Sequence, residues 1–129
     1  MTFGITALYA SALTIIVFVL AQLVIRARGK TKIMLGDVGD PRLLEASRRQ
    51  MNFVENVPMA LILMMLAEAS GTPAMWLHIA GGVLVVARLA HPFGISVARP
   101  AHPLRIGGAV STGAVQLGLV IAVLMNHFA

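Results

Sequence analysis

Four long apolar runs, separated by short polar connections, constrain this chain more than any other feature of its sequence. A run of about 20 apolar residues spans the ~30 Å hydrocarbon core of a bilayer as a helix, and 129 residues hold about four such runs. The expected fold class is therefore all-α, an integral membrane four-helix bundle occupying residues 1–129 as a single domain. Composition agrees. The chain is 58% apolar and 12% charged, with mean hydropathy +0.87, far from the roughly one-quarter charged residues of soluble domains. Having no cysteine, it has no disulfide, catalytic thiol or thiolate metal site. No Lys or Arg precedes the first run, which is too long for the core of a cleavable signal.

The spans are expected at about 3–28, 41–70, 73–91 and 104–127. Arg26 and Arg28 suit the C-terminal turn of the first, and Gly29 offers its stop. Asp40 followed by Pro41 predicts a capped helix start, and Thr72 followed by Pro73 repeats that signal. His91-Pro92 and the loop PFGISVARPAHP end the third helix. Helix two, about 30 residues or ~45 Å long, exceeds the bilayer core, so its first turns lie in the interface. All ten Lys and Arg fall between Arg26 and Arg49 or between Arg88 and Arg105, which four spans place on one side. The positive-inside rule then makes that side cytoplasmic and both termini non-cytoplasmic. Arg26, Lys30, Lys32, Arg42 and Arg49 read as topology signals and contacts for anionic lipid.

The stretch SRRQMNFVENVP is more specific. At about 100° per residue, Arg48, Asn52 and Glu55 share one face of helix two within ~60°. Pro58 frees the carbonyl of Val54 beside them. These groups either address one polar ligand or form a salt-bridge network in which Arg48 or Arg88 neutralises Glu55. His78, His102 and His127 have no spacing that assembles a metal site, and neither a metal nor a nucleic-acid partner is expected. Gln116 reads as an interhelical hydrogen bond, and Gly107/Ser111 with Gly108/Thr112 as close helix packing.

The pattern Arg48-x-Gln50-x-Asn52-x-x-Glu55-x-x-Pro58, with VIRAR before it and VVARLAH and LRIGG after it, resembles the MAPEG family, membrane-associated proteins of eicosanoid and glutathione metabolism. It is most similar to the short bacterial members, and the resemblance covers nearly the whole chain. It implies a bacterial inner-membrane homotrimer with glutathione sites between subunits near the cytoplasmic face. It further implies a transferase or peroxidase reaction on lipophilic small molecules drawn from the bilayer. Carried over to this chain, Arg105 matches the arginine that holds the thiolate, with Arg99 as the alternative if the loop shifts the register. Arg28, Arg48, Gln50, Asn52, Glu55 and Arg88 match ligand-binding positions, Arg28 and Gln50 reaching from an adjacent subunit. His91 stands, with Ile95 and Asn56, where the conjugating enzymes often carry tyrosine, and is expected to bind the ligand by supplying a hydrogen bond or taking a proton. A non-catalytic scaffold or a small four-helix transporter is the alternative class. The transporter needs a proton-exchanging carboxylate inside a span, and helix one has none.

Overall fold

The computed structural model describes residues 2–129. Four α-helices and one 3-10 turn account for its regular structure: α1 (Gly4–Thr31), α2 (Pro41–Ala69), α3 (Ala74–Ala90), the 3-10 turn His91–Gly94, and α4 (Pro103–Phe128). All four helices are long and apolar enough to cross a membrane, α3 together with the 3-10 turn. In cross-section α1 packs on α2 and α3, while α4 packs on α2 and α3. The order around the bundle is therefore α1, α2, α4, α3. Leu13 and Leu20 of α1, Phe53, Val57 and Met64 of α2, Leu77 and Leu84 of α3, and Val115 and Leu119 of α4 form the buried centre. Leu8, Ile15, Phe18, Val86, Leu117 and Met125 instead point outward, an arrangement that suits lipid and not water.

Lipid tails are as apolar as leucine, so packing and internal hydrogen bonds hold such a bundle together. Small residues set the closest approaches. A Cβ at Gly81 would stand 2.3 Å from the Tyr9 ring, and one at Gly108 would stand 2.8 Å from the His91 Cβ. Of the two small-residue pairs on α4, Gly108 and Thr112 are buried in this seam. Gly107 is exposed, with nothing within 4 Å of its Cβ position. Gln116 Nε2 donates to the carbonyl of Asn56 at 2.9 Å, the interhelical bond expected of a lone amide in a span.

Several helix ends differ from expectation. Asp40 caps α2 as predicted, its carboxylate accepting from Arg42 N and Leu43 N, with Pro41 at the first helical position. Gly29, however, does not stop α1. The helix runs two residues further to Thr31, and Lys32 takes the left-handed position with φ 61. Arg28 explains the extension: Nη1 donates to Ile33 O and Gly36 O, both at 3.0 Å, and folds the chain over the end of the helix. At α3 the cap position falls on Pro73 and not Thr72, whose hydroxyl instead accepts from Asn126 Nδ2 at 2.9 Å. α4 begins at Pro103, one residue earlier than expected. His102 supplies its cap, Nδ1 accepting from Leu104 N at 3.1 Å.

Candidate functional site

The end of the bundle carrying the basic residues is built from the last turns of α1, the first four turns of α2, the 3-10 turn with residues 95–102, and the start of α4. Because α2 extends past the apolar centre, its polar face stands free of the core. Arg48 and Glu55 meet there across two turns, Nη2 to Oε2 at 3.3 Å, with side chains 48% and 47% exposed. This is the pair foreseen from their shared face. Water or a ligand competes freely for both groups at that exposure, so the pair is worth at most about 1 kcal/mol.

Beside it lies a cavity of about 250 Å³ lined by Leu44, Glu45, Arg48, Asn52, Ile95, Ser96, Val97, Pro100 and Arg105. Three of the expected site residues, Arg48, Asn52 and Arg105, therefore share one space although 57 residues separate the first from the last. Packing at Gly94 makes this possible. A Cβ there would stand 2.2 Å from Arg105 N, so only glycine lets the 3-10 turn press against the first turn of α4. Arg105 Nη1 donates to Pro100 O at 2.8 Å. Arg99 is exposed and does not line the cavity.

The opposite wall is held by groups that reading the sequence assigned to lipid or passed over. Arg49 reaches across to the 3-10 turn, Nε to Pro92 O at 2.9 Å and Nη2 to Ile95 O at 3.0 Å. Glu45 Oε1 accepts from Val97 N at 2.9 Å, and its other oxygen lies 3.7 Å from Arg49. Arg49 is thus a loop anchor. The i,i+4 spacing of Glu45 and Arg49 was visible in the sequence; the loop N–H and carbonyls they hold, more than 40 residues away, were not.

The remaining expected residues do not line the cavity. Arg88 is 2% exposed and bridges α2 and α4, donating from Nη1 to Asn52 Oδ1 at 2.9 Å and from Nη2 to Gly108 O at 3.0 Å. His91, also 2% exposed, packs against Gly108. Glu55 meets Arg48 at the rim, and Arg28 is committed to the loop after α1. Gln50 is half-buried on α2 and lies about 160° around the helix from Asn52. Among the described residues no cluster of His, Asp and Glu is able to hold a metal ion.

A larger groove of about 610 Å³ runs between α3 and α4 towards the other end. Its walls are Trp76, Ile79, Val83, Leu119, Met125 and similar residues with no titratable group, so it offers apolar surface and no chemistry.

Comparison with known proteins agrees with this architecture. The chain is 34% identical over 90 residues to the Inner membrane protein YecN of Escherichia coli strain K12, covering 70% of this chain and 69% of that protein. The protein of the same name from E. coli O6:H1 strain CFT073 matches to the same extent. No solved structure matches. The MAPEG family description matches residues 6–125, which reaches into all four helices and includes every residue of the cavity. With its four membrane-length helices, this chain is an integral multi-pass membrane protein and belongs to the MAPEG family.

Proposed function

We propose that the protein is a glutathione-dependent membrane enzyme, a transferase or peroxidase acting on lipophilic electrophiles. One observation carries the reading: Arg48, Asn52 and Arg105 line one cavity at the basic end of the bundle. Glutathione matches that set, since its carboxylates suit guanidinium groups, its amides suit Asn52, and its ammonium suits Glu55 at the rim. Arg105 holds the thiolate in this reading, because it lines the cavity at the N-terminal turn of α4 and Arg99 does not. An ordinary thiol of this kind has a pKa near 8.5 and is only a few per cent ionised at neutral pH, so a guanidinium and a helix N-terminus both raise the reactive fraction. The membrane supplies the electrophile and the basic face supplies the thiol.

The cavity of about 250 Å³ is smaller than the roughly 300–1,000 Å³ of small-molecule sites, which supports a site of which one protomer forms only part. The half-exposed Arg48 and Glu55 on a membrane helix point the same way. Both features support a homotrimer with sites between subunits, to which Arg28 and Gln50 of a neighbour contribute. On the positive-inside rule that end is cytoplasmic, in a bacterial inner membrane, with both termini on the other side. A non-catalytic scaffold is the second reading, supported by Asn56, His91 and Ile95 standing where conjugating members often carry phenols. Calorimetry of glutathione binding to the detergent-solubilised protein at low salt separates the two. Saturable binding is expected, and no heat at millimolar ligand overturns the enzyme.

A further inference from the structure

Arg88 is the most buried cation in the molecule, and it has no carboxylate partner. The five acids of the chain are all engaged elsewhere: Asp37 with Gly39 N, Asp40 with the start of α2, Glu45 with Val97 N, Glu55 with Arg48, and Glu68 with the start of α1. Its two outer nitrogens are satisfied by neutral oxygens, Asn52 Oδ1 and Gly108 O, and its Nε makes no hydrogen bond at all. Burying a guanidinium without a counter-anion is costly, and a lysine- or arginine-sized apolar residue would pack there without that cost. Something else has to account for the charge.

Arginine donates and never accepts, so the atom of Asn52 that faces it is necessarily the oxygen. The amide is thereby fixed in one of its two orientations, and Nδ2 forms no hydrogen bond among the described residues. Asn52 is also a wall of the cavity. The NH2 group is left for whatever occupies that space. A donor held by a charge-assisted bond on its far side is polarised and becomes a better donor. The second contact of Arg88, to Gly108 on α4, lies one helical turn beyond Arg105. The same side chain therefore ties the helix bearing Arg48 and Asn52 to the helix bearing Arg105.

We infer that Arg88 is a positioning residue that acts through Asn52, turning its NH2 into the cavity so that this wall selects a carboxylate or carbonyl of the ligand and rejects an ammonium. The inference rests on the proposed glutathione site and specifies which groups of the ligand meet α2. It also explains an uncompensated buried cation: a bound anion supplies the missing charge at one remove.

Asn52→Asp provides the decisive test, because it is isosteric and leaves Arg88 with an ionic partner while replacing the NH2 by an anionic oxygen. Its melting temperature in detergent should equal or exceed that of the parent, while glutathione affinity by calorimetry should fall about tenfold or more, the value of one hydrogen bond to a charged group. A merely structural Asn52 would show no such divergence, and Asn52→Asp binding glutathione as tightly as the parent overturns the inference. Arg88→Met and Asn52→Leu, singly and together, measure the pair without any ligand through melting temperature. The double variant should be more stable than the two single losses predict, and strictly additive losses also overturn the inference. If Arg88→Met does not fold, Arg88→Lys serves in its place, keeping the charge on a single donor nitrogen and giving an intermediate loss. A parent that binds no glutathione while the pair remains coupled overturns the proposed function and leaves the pairing of Arg88 with Asn52 standing.

Discussion

Two glutamates of α2, Glu68 towards one end of the bundle and Glu55 towards the other, are treated in opposite ways. Glu68 spends its whole carboxylate on α1: Oε1 accepts from Ile5 N at 2.9 Å, and Oε2 from Thr6 N at 2.8 Å and Thr6 Oγ1 at 2.6 Å. It caps a helix that has no cap of its own, since the residue before that helix, Phe3, has no side chain able to accept. Around it, Asn126 donates to Ser70 Oγ and Thr72 Oγ1, and the Tyr9 hydroxyl lies 2.9 Å from His78 Nδ1. Glu55, about 20 Å along the same helix, holds only a half-exposed Arg48 at 3.3 Å. One end closes its polar groups on each other; the other leaves Arg48 and Glu55 half-exposed at the rim of a cavity. In a bilayer, unspent polar groups are expensive, and the end that keeps them is the end where a ligand is expected.

The contrast is open to attack by substitution. Gly94→Ala should do the most damage at the basic end, about 3 kcal/mol, because its Cβ would overlap the backbone of Arg105 and not a flexible side chain. It should lower the melting temperature and the affinity for glutathione together. Unchanged affinity would mean that the position of Arg105 does not depend on this packing.

Arg105→Ala should leave stability nearly intact and remove most of the ultraviolet thiolate signal of bound glutathione. Two pKa units on that thiol correspond to roughly 2.7 kcal/mol, about a hundredfold in the ratio of thiolate to thiol. Arg48→Ala should chiefly raise the glutathione concentration required. Loss of the signal in Arg99→Ala and not in Arg105→Ala would transfer the role to Arg99.

At the closed end, Glu68→Ala should cost about 2 kcal/mol by leaving three donors to water, with faster hydrogen exchange at Ile5 and Thr6 and no change in glutathione affinity. An effect on affinity would break the division between the two ends. The smallest stability change is expected for Glu55→Gln, under about 1 kcal/mol, since its ion pair is half-exposed. Its binding effect should be larger for glutathione than for a des-amino analogue. Equal losses would make Glu55 a structural partner of Arg48.

Both the spans and the shared face of Arg48, Asn52 and Glu55 were legible because each depends on neighbours within a turn or two: apolar runs, the Asp40-Pro41 start, and the 100° step of a helix. The stop assigned to Gly29 failed for a related reason. A glycine permits an end without requiring one, and Arg28, by gripping Ile33 O and Gly36 O, carried the helix on to Thr31. The site itself was only half readable. Sequence supplied its donors, but nothing local shows that Arg49 anchors a loop beyond residue 91, that Glu68 caps a helix beginning 64 residues earlier, or that Arg88 spends its charge on Asn52 and Gly108. Those partners are fixed by how four helices pack and not by spacing along any one of them. The sequence by itself determined four membrane-length helices and the end at which their charges gather, because hydropathy and helical period are local. Which of those charges are spent on the fold and which stay exposed beside the cavity was decided by tertiary structure, because a hydrogen bond between helices exists only once packing has brought its two ends together.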